Sequence, residues 1–225
     1  MSTGRQTRLI MMDVCVAVIA RRDELSRYDA AIGDGDHGAS MAKAFRRVHA
    51  ELEPLGEATP KAILATTGAA LLSAVGGAMG PLLGTAFLEA AEAVPDDGTL
   101  SASVIADMLT LADAGVTRLG GASLGDKTMI DALRPAAIAA TEAADSGATA
   151  RSTLLAAARA ARRGADLTVT MQARRGRASR LGERSIGHPD PGAMSTALIL
   201  ETAAESAGAG DARMAGDAVA SGSGS

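Results

Sequence analysis

The chain is 225 residues long, enough for one domain with a real core and short for two. Hydrophobic residues make up 47% and charged residues 21%, values that exclude wholesale disorder. Aromatics are only 1% (Tyr28, Phe45, Phe87) and the net charge is -4, so neither a base-stacking nor a phosphate-backbone nucleic-acid binder is expected.

Ala, Leu and Met dominate and β-branched clusters are few, which predicts an all-α chain. Eight helical segments are predicted. The first spans about Arg5 to Arg27, and its apolar run, Leu9 to Ala20, is broken by Asp13 and too short to cross a bilayer. Arg21, Arg22, Asp23 and Glu24 follow that run without a small-residue cleavage site, so a signal peptide is not expected. The second segment follows Gly38 and ends near Pro54; the third starts at Thr59-Pro60, a cap followed by proline at the first helical position. The fourth starts near Pro81 and stops before Pro95, and Ser101 caps a fifth that runs to about Leu119. The sixth begins near Thr128, with Pro135 as an expected kink or turn. The seventh spans about Thr149 to Gln172, and the eighth about Gly192 to Ala207. Residues 1–207 read as one helical domain, and Gly208 to Ser225, rich in Gly, Ala and Ser, as a disordered tail. The single Cys15 cannot form an intrachain disulfide, which fits a reducing cytoplasm, and its apolar helix makes it a core residue.

The connections alternate between two kinds. Plain turns fall at 53–56, 95–98 and 145–147; longer Gly-rich or polar loops fall at 32–38, 76–80, 120–127 and 173–191. In an up-and-down bundle alternate connections share an end. The pattern therefore predicts a helical scaffold with all four unusual loops on one rim.

The first loop, Asp29-Ala-Ala-Ile-Gly-Asp34-Gly-Asp36-His37-Gly38, interleaves carboxylates and glycines without a compensating lysine or arginine. Such a cluster is costly unless solvated or bound to a metal. Its oxygen ligands suit a hard cation, Mg²⁺ where phosphates complete the shell. An EF-hand is excluded, because Phe45 stands where the twelfth-position Glu is needed. The second loop, Gly76-Gly77-Ala78-Met79-Gly80-Pro81, opens a helix and could bring backbone N–H groups to an anion, but read alone it is a tight helix–helix turn. In the third, Gly120 to Met129, two readings stand: Lys127 and Thr128 contact phosphate, or Asp126 caps the helix and Lys127 is merely exposed. The fourth, Gly176 to Gly192, is too long for a simple connection and carries Arg177, Arg180 and Arg184. It reads as a basic lid over a nucleotide or as a solvated charged loop, with Pro189 and Pro191 fixing Asp190 in a turn.

Taken together, Asp29–Gly38, Gly121-Ala-Ser-Leu-Gly-Asp-Lys-Thr-Met129 and Gly176-Arg-Ala-Ser through Leu-Gly-Glu-Arg-Ser to Gly-His-Pro-Asp-Pro-Gly192 resemble the nucleotide-binding L subunit of dihydroxyacetone kinases, the DhaL family, from about residue 10 to 207. The resemblance implies an eight-helix up-and-down barrel with the nucleotide at one end, and phosphoryl transfer as the chemistry. It implies that Asp29, Asp34 and Asp36 hold two Mg²⁺ ions, and that His37, Ser40, Ala78, Met79, Gly120, Gly121, Met129, Arg177, Asp190, Pro191 and Gly192 surround ADP or ATP. The chain departs from the family pattern at Ser40, Met79 and Arg180, where Asn, Ser and Tyr are usual. The implied partners are a separate K-type subunit that binds a small keto sugar and a phosphohistidine protein of the sugar phosphotransferase system; a homodimer is a further assembly considered. No catalytic residue is assigned to this chain, and neither nucleic acid nor membrane is expected as a partner. The rival readings are a non-catalytic nucleotide-binding module that contacts a transcription factor, and the nucleotide domain of a fatty acid kinase.

Overall fold

A computed structural model describes residues 4–74 and 79–222, with side chains described through Ala209. Among the described residues there is no strand. The helices are α1 (Gly4–Ala20), α2 (Arg22–Ile32), α3 (His37–Leu52), α4 (Pro60–Ala74), α5 (Met79–Glu92), α6 (Ala102–Gly120), α7 (Ile130–Asp145), α8 (Ala150–Leu167) and α9 (Pro191–Gly222). Short 3₁₀ turns at Glu53–Leu55, Thr168–Thr170 and Arg177–Ser185 lie between them.

Capping fixes several boundaries where the sequence predicts them. Thr59 Oγ1 accepts from Ala62 N at 3.2 Å, Ser101 Oγ from Val104 N at 3.2 Å, and Thr149 Oγ1 from Ser152 N at 3.1 Å. Gly121, left-handed at φ 63°, ends α6 and returns its N–H to Thr117 O. Three expectations change. The first predicted helix is two, broken at Arg21 (φ -89°, ψ 12°). No Pro or Gly causes that break. It falls where Gly38 of α3 presses on the Arg22 carbonyl, so closely that a Cβ on Gly38 would stand 1.9 Å from that oxygen. Pro135 does not end α7 or mark a turn before it; the helix runs through it. The last helix does not stop near Ala207: its backbone is helical to Gly222, continuing the Ala-rich helix former into the segment read as a disordered tail.

The packing order closes a ring: α1 packs on α3, then α4, α5, α6, α7, α8 and α9 follow in turn, and α9 returns to α1. These eight helices form the expected up-and-down barrel, with α2 leaning on α3 and α9. Phe45, Leu52, Ile63, Leu71 and Ile130 fill the interior and are fully buried. Between α7, α8 and α9 the seam is small-residue: Ala132, Ala136, Ala157, Ala161, Ala165, Ala193 and Ala197 are buried there. Cys15 is core, and its burial pushes the thiol up to about 12. No helix among the described residues is long and apolar enough to cross a membrane.

Candidate functional site

One end of the ring opens into a cavity of about 670 Å³ lined from all the long connections. The α2–α3 corner supplies Asp29, Asp36, His37 and Ser40; α5 supplies Met79, Pro81 and Leu82. The end of α6 and the segment after it supply Gly120, Lys127 and Met129, and the α8–α9 segment supplies Arg175, Arg177, Asp190, Pro191 and Gly192. The loop alternation thus places the unusual connections together.

The carboxylates of Asp29, Asp34 and Asp36 converge, with one oxygen of each lying within 4.8 Å of the others. Asp29 lies in the last turn of α2 and is the most covered; Asp34 and Asp36 are exposed. Asp29 Oδ2 accepts the His37 N–H at 3.2 Å, which ties the end of α2 to the start of α3. An all-oxygen set open to a cavity fits Mg²⁺, which takes one or two carboxylates and completes its octahedron with water and phosphate. A guanidinium is the counter-charge here. Arg177 pairs with Asp34, and its Nη1 lies 3.5 Å from Asp36. Desolvation acts to raise the Asp34 pKa, but the Arg177 hydrogen bond and charge outweigh it and hold the carboxyl below its ordinary range.

His37 is buried, at 6% exposure. Its Nε2 lies 3.2 Å from Ser195 Oγ, and its hydrogen bond to the Pro191 backbone joins α3 to the start of α9. Burial pushes its pKa down, against the pull of Asp29 and Asp36, so the ring is neutral near pH 7. Asp190 caps α9: its Oδ2 accepts from Ala193 N at 2.7 Å, and its own N–H donates to Thr168 Oγ1 at 2.9 Å. Burial of that carboxyl pushes its pKa up to about 7, with Asp131 adding to the rise and the Ala193 N–H opposing it. The expected turn around Asp190 is therefore a helix cap.

The third connection departs from both readings at Lys127 and Asp126, while Thr128 lines the cavity. Lys127 is not exposed: it is 1% exposed, and its ammonium is taken up by four backbone carbonyls. Asp126 does not cap α7. Its Oδ2 accepts from Ser123 N at 2.9 Å and faces Arg175 at 3.5 Å. The buried Asp131 orders the segment instead, accepting from Gly125 N at 2.6 Å and Thr128 N at 2.8 Å. Sequence reasoning missed Asp131 and Ser195, and Arg175, expected only to add to the basic field of the loop, lines the cavity. Asp131 lies three residues after Thr128 in the first turn of α7, a spacing at which a carboxylate can cap backward; nothing local marks Ser195.

Of the nucleotide-site residues expected by resemblance, His37, Ser40, Met79, Gly120, Met129, Arg177, Asp190, Pro191 and Gly192 line the cavity. Gly121 stands beside it, its Cα side toward the Arg175 guanidinium. Ala78 lies outside the described residues. Asp34 reaches the site through its place in the carboxylate cluster.

Comparison with known proteins agrees with this architecture. The family model of the DAK2 domain matches residues 31–205. The chain is 39% identical to the ADP-binding subunit DhaL of the PEP-dependent dihydroxyacetone kinase of Escherichia coli (strain K12), covering 89% of this chain and 96% of that subunit. It is also 39% identical to an L-erythrulose 1-kinase of Mycolicibacterium smegmatis, covering 81% of this chain and 32% of that enzyme. The crystal structure of the C. freundii dihydroxyacetone kinase in complex with AMP-PNP and Mg²⁺ superimposes with a TM-score of 0.68 at 28% identity, over 91% of this chain and 34% of that one. With its helical ring, its ordered series of loop motifs and a domain match over most of its length, the chain belongs to the DAK2-domain family, among the DhaL-type subunits of dihydroxyacetone kinases.

Proposed function

We propose that this chain is the nucleotide-binding subunit of a dihydroxyacetone-type kinase, holding Mg-ADP or Mg-ATP in the rim cavity and passing the terminal phosphoryl to a small keto sugar on a separate K-type subunit. The observation that carries this reading is the meeting, in one cavity, of a three-carboxylate cluster with an arginine from the facing segment. Asp29, Asp34 and Asp36 would hold two Mg²⁺ ions, which when bound supply charge neutralisation and alignment of the phosphates. Asp29 is pre-oriented by the His37 N–H, so little ordering remains at that ligand. Arg177, already at the cluster, presents a planar fork that matches phosphate oxygens, and Arg175 stands on the same segment. Met79, Leu82, Val116, Leu119 and Met129 add apolar lining, suited to a purine face.

The acceptor site is proposed on a partner because the titratable groups described around the cavity are already engaged: Asp29 and Asp36 stand in the carboxylate cluster, and Asp190 caps α9. The cavity's one histidine, His37, is engaged with Ser195 and Pro191. Exposed Leu119, Leu124, Leu167 and Ile186 stand on the same rim and offer an apolar surface for that partner. The E. coli relative is named PEP-dependent and that of Lactococcus lactis PTS-dependent. These names support a phosphohistidine protein of the sugar phosphotransferase system as donor, recharging retained ADP in the cytoplasm. The test is reconstitution. The purified chain with Mg-ATP and dihydroxyacetone should yield no sugar phosphate above background, and adding the cognate K-type subunit with its phosphoryl donor should give turnover. Turnover by the isolated chain, absent in an Asp34→Asn control, would overturn the two-subunit assignment.

A further inference from the structure

Lys127 is the one described residue other than glycine with a left-handed backbone, at φ 61°. That conformation is unfavourable for a side chain as large as lysine. The side chain is 1% exposed. Its Nζ donates to the carbonyls of Thr168 at 2.8 Å, Met171 at 3.0 Å, Ser185 at 2.8 Å and His188 at 2.5 Å. No carboxylate lies within ion-pair distance of Nζ among the described residues; the nearest opposing influence is the field of Asp190. The charge is balanced by carbonyl dipoles, as a desolvated cation must be.

The identity of those carbonyls gives the arrangement its meaning. Thr168 and Met171 precede the arginine-bearing stretch, and Ser185 and His188 follow it. One ammonium, carried on the α6–α7 connection, therefore gathers both ends of the α8–α9 segment at a single point. With an ammonium's three protons shared among four acceptors, no donor remains for a phosphate. Secondary bonds reinforce the closure: Gly187 N donates to Val169 O at 2.7 Å, and Ala173 N to Ser185 Oγ at 2.9 Å.

We propose that Lys127 is the positioning residue of the nucleotide site: its ammonium ties off the base of the 171–188 segment and so holds Arg177 over the carboxylates and Arg175 at the cavity wall beside Asp126. The tie is a property of the free chain; only its effect on affinity rests on the nucleotide-binding reading. Lys127→Gly is the informative variant, since glycine accepts the left-handed backbone and removes only the side chain. Arg174, Arg175, Arg177, Arg180 and Arg184 make the segment a built-in trypsin reporter. In Lys127→Gly, with helical circular dichroism retained, trypsin should cut the segment at least tenfold faster without nucleotide, and Mg-ADP affinity should fall at least tenfold. n-Butylammonium, which replaces the missing chain and ammonium, should restore both; tetramethylammonium at equal ionic strength, which cannot donate, should restore neither. A merely structural defect would not show that selectivity. Unchanged trypsin protection in the variant, or equal rescue by both salts, would overturn the tie. Failure of the wild-type chain to bind Mg-ADP would instead overturn the nucleotide reading and leave the protection experiment to decide the tie.

Should Lys127→Gly fail to fold, the wild-type chain still decides. It has three lysines, Lys43, Lys61 and Lys127. ¹⁵N-lysine labelling should show one ammonium resonance protected from solvent exchange; three equally fast-exchanging ammonium groups would overturn the proposal.

Discussion

Arg177 sits where a divalent cation would compete with it. In the free chain its guanidinium offsets the repulsion of Asp34 and Asp36, so the carboxylate cluster is less strained than its sequence suggests. The consequence is separable by measurement. Arg177→Ala should tighten binding of Mn²⁺ alone, because a resident counter-charge is gone, yet weaken Mg-ADP by about 1.5–3 kcal/mol through loss of a charge-assisted bond to phosphate. Titration by calorimetry checks both, and equal weakening of the metal and the nucleotide would contradict the account. Asp190 gives a second expectation of this kind. Its folded pKa, about 7, lies above its ordinary value of 3.8. The protonated form is therefore favoured by folding; that contribution is complete below pH 3.8 and is lost as pH rises through about 7. Asp190→Asn keeps an acceptor for the Ala193 N–H and cannot ionise. It should be more stable than wild type at pH 8, by roughly 1.4 kcal/mol for every tenfold by which burial strengthens the carboxyl's hold on its proton, and nearly equal to it at pH 4. Urea denaturation at both values tests this, and a parallel pH dependence in the two proteins would count against the buried carboxyl.

Helix ends were legible because their determinants are local. Thr59, Ser101 and Thr149 announce helix starts by side-chain chemistry alone, and the alternation of plain and Gly-rich connections revealed which end of the barrel carries the site. The break at Arg21 was not legible, because it depends on Gly38 packing from another helix. Nor was the uninterrupted course of α7 through Pro135. Proline cannot donate to the carbonyl four residues earlier, that of Asp131. Gly164 of α8 packs directly on that oxygen: a Cβ on Gly164 would stand 2.0 Å from it. The free carbonyl and the bare glycine are two halves of one close helix crossing. Lys127 misled for a related reason, since its partners come from a segment more than forty residues on and sequence spacing gives no sign of them. Gly164→Ala should force α8 away from α7 and cost about 1–3 kcal/mol. It should also loosen the site, because the same crossing holds Asp131 and the connection it orders. Thermal denaturation together with Mg-ADP titration would check this; an unperturbed melting temperature would show that the crossing has slack.

A closed ring of helices is stiff, and the loops at one end of the molecule inherit that stiffness. The far turns are short and plain, so sequence complexity is concentrated where the cavity opens. The cavity brings a carboxylate cluster, arginine and apolar side chains to one place, and the proposed function leaves the acceptor hydroxyl to a partner on the rim. The proposed function depends on the Asp29, Asp34 and Asp36 cluster making this cavity a site for a metal–nucleotide complex. Calorimetric titration of Mg-ADP into the wild-type chain and into Asp34→Asn, with ADP in EDTA as the metal-free arm, decides it. Wild type should bind Mg-ADP and lose that binding in EDTA. Asp34→Asn should fail to bind while keeping its melting temperature, because removing the carboxylate ends both a repulsion and the pairing with Arg177. Equal Mg-ADP affinity in the two proteins, or wild-type affinity that survives EDTA unchanged, would contradict the account.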